Sequence, residues 1–150
     1  SIENNKDISI YSDNVKQAVQ YPMIVKNNIP YVALDDFKGI IAYTSSISTD
    51  DNSKTITFSL KDAKKKDLPV KIVTTVGNTN CVLIEKDGSH KYYNLKAPII
   101  EHENSKSKIN QLYVPVYMLS NLSGKNVEFN TKKYALMFTD SKDILPFEDN

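Results

Sequence analysis

His90, His102 and Cys81 are the only imidazoles and the only thiol in this 150-residue chain, and nitrogen and sulfur donors of this kind suit copper or zinc. No two of them stand at the spacing of a recognised ligand pair. Cys81 opens the apolar run CVLI and reads as a small core residue, while both histidines lie in polar strand or loop stretches. The sequence therefore predicts no metal site and no cofactor. Paired carboxylates occur at Asp35-Asp36 and Asp50-Asp51. Neighbouring helical residues point about 100° apart, so the first pair does not converge on a substrate; acids there favour the first turn of a helix. The second pair falls in a hairpin turn. Neither belongs to a ladder of oxygens such as calcium loops use, and no catalytic residue is assigned.

All 19 basic residues are lysine, so the planar fork with which arginine grips phosphate and carboxylate is missing. With a net charge of only +1, nucleic acid is not an expected partner. Lys61 and Lys64–Lys66 form a basic run, but Asp62 and Asp67 temper it. It reads as a solvated loop whose pull on an anionic wall polymer or membrane surface would be screened by salt. Nine tyrosines stand in a chain without tryptophan. Tyr31 and Tyr113 read as packing anchors with hydroxyls reaching the surface. Tyr92 and Tyr93, adjacent in a strand, must face opposite ways, so one of them is exposed and could stack on a sugar.

Turn clusters and alternation mark the elements that position these groups. Asp13-Asn14, Asn27-Asn28, Gly77-Asn78 and above all Asp87-Gly88 separate β-like runs into hairpins. Leu34, Phe37, Ile40 and Ile41 recur at helical spacing, and QLYVPVYMLSNLSG reads as a second helix closed by Gly124. The order of elements runs twice. Pro22 matches Pro98, Tyr31-Val32 matches Tyr113-Val114, and TITFSL matches YALMFT. The second copy carries an insertion within ENSKSKIN. Two copies are too few for a solenoid, so the expectation is one compact domain over 1–140 built of halves at about 1–66 and 67–140, followed by an acidic tail, 141–150. The fold class expected is α+β: antiparallel sheet units, each with one short helix packed on a curved sheet.

The second copy, with Pro98-Ile99-Ile100, Tyr113-Val114-Pro115-Val116, Leu122, Gly124 and Val127-Glu128-Phe129-Asn130, resembles the copper amine oxidase N-terminal-like domain, or stalk domain, of Gram-positive secreted and cell-surface proteins. Pro22, Tyr31, Val32 and Gly39 carry a weaker match in the first copy. The family's Asn-Gly turn, helix arginine and tryptophan are replaced, the last by Phe129, which keeps an apolar anchor. The resemblance implies a small antiparallel sheet curved around a helix, carried as an appendage without catalytic function. Oxidase chemistry itself would need three histidines on one metal and a tyrosine in an Asn-Tyr-Asp/Glu motif. The chain has two histidines and lacks the motif.

No apolar run approaches the roughly 18 residues that a membrane helix needs, and no export signal is visible. The chain is read either as cytoplasmic or, given the resemblance, as an extracellular or cell-surface segment whose export signal lies elsewhere. The function expected is a structural or interaction module that meets a protein partner or its own copy through exposed sheet surface. The alternative is a cell-wall glycan or peptidoglycan binder using exposed tyrosines.

Overall fold

The computed structural model describes residues 4–65, 67–105 and 107–141; Lys66 and nearly all of the acidic tail lie outside them. In chain order the strands are β1 (Asn4–Lys6), β2 (Ser9–Ser12), β3 (Val15–Gln17), β4 (Met23–Lys26) and β5 (Ile29–Ala33), followed by a 3-10 turn at Leu34–Phe37. Then come β6 (Tyr43–Asp50), β7 (Ser53–Leu60), β8 (Lys71–Thr75), β9 (Asn80–Ile84) and β10 (His90–Asn94). The described residues end with β11 (Ile100–Glu103), β12 (Asn110–Pro115), a 3-10 turn at Val116–Met118 leading into α1 (Leu119–Ser123), β13 (Lys125–Asn130) and β14 (Ala135–Asp140).

Local chemistry accounts for the hairpins. Asp13-Asn14, Asn27-Asn28 and Asp51-Asn52 all take left-handed φ values, between 44° and 67°. Consecutive residues in that region form the two-residue turn that suits the twist of paired strands, and Asn and Asp tolerate it better than most. Gly88 (φ 85°) fills the same need after Asp87.

Strand occupies 53% of the described residues and helix 9%, which makes the fold mainly β and corrects the α+β expectation. The first expected helix is only the four-residue 3-10 turn, although its stripe is still buried: Leu34, Phe37 and Ile41 all pack in the core. Gly39 and the β-branched pair Ile40-Ile41 follow at once, and such residues propagate a helix poorly. Lys61 Nζ closes the turn by donating to the Lys38 and Ile41 carbonyls at 2.8 and 3.1 Å. The second helix is shorter than expected because Asn110–Pro115 is strand. Gly124 ends α1 in the left-handed region (φ 66°), its N–H donating to the Ser120 carbonyl at 2.8 Å, the usual solution for a helix C-terminus.

Three sheets share one core. The central sheet runs β1-β4-β5-β12-β11, the second β10-β9-β8-β7-β6, and the third β13-β14-β2-β3. The second sheet crosses the boundary expected between residues 66 and 67. In the third, the final strand pairs parallel with β2, near the start of the chain. Phe58, Ile72 and Leu83 of the second sheet, Ile10, Leu136 and Phe138 of the third, and Val32 and Val114 of the central sheet meet in one buried cluster. The opposite face of the central sheet buries a smaller group, Ile24, Tyr31, Ala33, Ala97 and Tyr113.

Candidate functional site

The two Tyr-Val stretches meet at the centre of the molecule. β5 and β12 pair antiparallel with Val32 opposite Val114, Tyr31 opposite Pro115 and Ala33 opposite Tyr113, so the matching valines face each other on a local two-fold axis that relates the two stretches. Each strand also pairs in the same register with its own hairpin partner: Tyr31 faces Ile24, and Tyr113 faces Ile100. The second hairpin extends one pair further and closes through residues 104–109, which accommodates the insertion.

Each joint is tied back to the segment around its proline by one polar side chain. In the first copy the Asp36 carboxylate accepts the Gln20 and Tyr21 N–H groups at 2.9 and 3.1 Å. Burial pushes this carboxyl above the ordinary range, against the two N–H bonds, which favour the charge. In the second copy the Tyr117 hydroxyl donates to the Ala97 carbonyl at 2.9 Å and accepts the Ala97 N–H at 3.2 Å. Burial is the main reason its phenol is pushed up to about 12. Tyr113 is buried, and its hydroxyl donates to the Pro22 carbonyl at 2.9 Å. That bond crosses from one copy to the other, so the hydroxyl does not reach the surface as expected. Among the described residues the Tyr31 hydroxyl has no such bond. Pro22 and Pro98 are half-buried, and so is Phe129, which packs on the rim of the main core.

The candidate chemical groups are dispersed. Cys81 is buried in β9, and burial pushes its thiol up to about 12, so it is a weak nucleophile. His90 is exposed on β10, 6.3 Å from the Tyr92 ring, while His102 on β11 meets Tyr113 edge-on at 5.3 Å. Among the described residues no three His, Cys, Asp or Glu side chains gather to hold a metal ion. Asp35 pairs with Lys38 at 3.0 Å, and Asp50 and Asp51 are exposed at their turn. Lys61 spends its ammonium on backbone carbonyls, and the remainder of the basic run that is described, Lys64 and Lys65, is exposed.

A surface depression of about 520 Å³ opens beside the first joint, lined by Asp7, Val19, Gln20, Tyr21 and Asn104 among others. Among the described residues that line it, Asp7 is the one carboxylate, and no acid–base pair converges there. Sequence reasoning missed Asp36 and Tyr117 as the joint's polar ties. The one available signal was a polar side chain in each copy a few residues after Tyr-Val.

No family model, curated protein or solved structure matches the chain.

Proposed function

We propose that this chain is a non-catalytic, extracellular structural or interaction module of a bacterial secreted or cell-surface protein, of the stalk-domain kind that its second copy resembles. One observation carries the interaction reading. Of the four large apolar side chains that are well exposed among the described residues, three sit on strands at sheet edges: Val15 at 62% on β3, Ile47 at 52% on β6 and Tyr92 at 74% on β10. Exposed edges normally carry charge or proline to deter pairing, so apolar groups there suit a surface that meets another protein. Tyr92 is the only exposed residue among the nine tyrosines, which leaves a wall glycan without the grouped aromatic platform it would need. Protease treatment of intact producing cells tests the placement. Loss of the domain while a cytosolic marker survives is expected; protection of both until lysis would overturn the extracellular reading.

A further inference from the structure

The edges of the three sheets are unequal. Lys6 on β1, Lys16 on β3, Lys91 on β10, Glu101 and Glu103 on β11, and Lys125 and Glu128 on β13 charge five of them. The sixth, β6, reads YTSSISTD and is eight residues long, with Asp50 at its last position as its one charge. Its pairing to β7 runs unbroken from Tyr43 opposite Leu60 to Asp50 opposite Ser53, so no bulge blunts it. Residues 46–50 are all exposed. This is the profile of an edge that accepts a further strand.

The backbone shows which groups are free to do so. Asp50 and Ser53 flank the two-residue turn and form a hydrogen-bonded pair, and the Lys61 N–H donates to the Ala42 carbonyl at 2.9 Å in the same row. Alternation then aims Thr44, Ser46 and Ser48 at β7, and Ser45, Ile47 and Thr49 outward. Ile47 lies opposite the buried Ile56, so its side chain is on the core side of the sheet. There it borders a depression of about 340 Å³ lined by Leu34, Asp35, Lys38, Gln111 and Leu112 among others.

We propose that β6 is a self-pairing edge, through which two copies of this chain join antiparallel about Ile47 and fuse their second sheets into one. A second copy fits by symmetry. Centred on Ile47, Ser45 meets Thr49, Ser46 meets Ser48 and Thr44 meets Asp50, so each acid faces a hydroxyl rather than its own mate. Hydroxyl pairs across strands are favourable where like charges are not, and the contact is isologous and closes on itself. The exposed Ile47 is covered by its counterpart. One strand pair is small beside the roughly 1,200–2,000 Å² of stable complexes, so the dimer is concentration-dependent.

The assignment rests on the interaction reading above and narrows it to one edge. Sedimentation equilibrium of the full chain should show the average mass rising toward twice the monomer between about 10 μM and 1 mM. Ile47→Lys and Ile47→Pro should each weaken this at least about tenfold. Neither removes a bond to β7, since the Ile47 N–H points outward, and unchanged circular dichroism verifies folding. Ile47→Cys should oxidise to a disulfide dimer, whereas Ser48→Cys, which faces Ser46, should do so far less. A monomer throughout with no Ile47→Cys dimer, or a dimer indifferent to both Ile47 substitutions, would overturn self-pairing. Capture of a foreign extended peptide by β6 without self-association would also overturn it and leave the interaction reading standing. A failed cell-surface test would remove the extracellular reading without touching the sedimentation result.

Discussion

The two Tyr-Val joints occupy matching places on either side of the Val32–Val114 axis, yet they are fastened by different chemistry. The first uses a partly buried carboxylate, Asp36, on two N–H groups, and its tyrosine is buried in packing with no hydroxyl bond to another described residue. The second uses two phenols, Tyr117 on Ala97 and Tyr113 on Pro22. Neutral hydroxyls keep their bonds across the whole range below phenol ionisation, whereas a desolvated carboxylate is a compromise between burial and hydrogen bonding. The comparison shows that the geometry of the joint, a side chain tying the turn to the proline segment, is what both copies share. The residue type that supplies the tie is interchangeable. The fastening is also one-sided, because the Tyr113 bond makes the second copy hold the first.

Alkali should break the arrangement most completely. The Tyr113 and Tyr117 phenols are raised from 10.0 to about 12, burial first among the causes. A raised folded value means stability that is present below 10.0 and lost as pH rises through about 12, since the unfolded chain loses these protons first. Cooperative loss of circular dichroism together with the rise of tyrosinate absorbance is expected in that window. Free titration of all nine tyrosines near their ordinary value in a folded protein would contradict it.

Next in size is packing across the copies. Phe37, from the first turn, packs against Phe138 of β14 with ring centroids 5.7 Å apart and the rings tilted, and Leu119 holds the corresponding place after the second Tyr-Val. Both are fully buried. Phe37→Ala should cost about 3–5 kcal/mol and Leu119→Ala about 2–5 kcal/mol in urea unfolding. Losses below 1 kcal/mol would mean that the joints do not share a core.

The ties themselves give a graded series. Tyr117→Phe leaves the Ala97 N–H and carbonyl without their partner and should cost about 1–3 kcal/mol. Tyr113→Phe should cost about 0.5–1.5 kcal/mol, and Tyr31→Phe less, because no such bond is lost. Equal effects at Tyr31 and Tyr113 would erase the asymmetry.

Asp36→Asn is the smallest change, within about 0.5 kcal/mol at neutral pH. Its signature is in the pH dependence. The folded carboxyl lies above its ordinary 3.8, so the wild type should lose a little stability, relative to the asparagine variant, as pH rises from 3.8 through that raised value. A difference of the opposite sign would show that the Gln20 and Tyr21 N–H bonds outweigh burial.

Much of the fold was legible because its signals are short-range. Asn27-Asn28 and Asp51-Asn52 had to turn, since few other residues accept left-handed φ so readily, and Ile56 and Phe58 had to face inward once alternation placed them in a strand. Helix length was misread because the spacing of Leu34, Phe37 and Ile41 fits a burial stripe whether the backbone makes about two helical turns or one. The polar ties were not legible at all: Asp36 reads as a helix-start acid until the chain from Gln20 to Tyr21 is brought beside it.

The sequence by itself determined the hairpins, the turns, the αL cap at Gly124 and the correspondence between the two Tyr-Val stretches. These depend on dihedral preference and on periodicity within a dozen residues. Only the tertiary structure decided that β5 and β12 pair about Val32 and Val114, that β14 runs parallel to β2, that Tyr113 reaches Pro22, and that β6, charged only at Asp50, is left as an edge. Each of these joins segments far apart in the chain, where strand pairing and burial of the shared core, rather than local preference, select one arrangement from many.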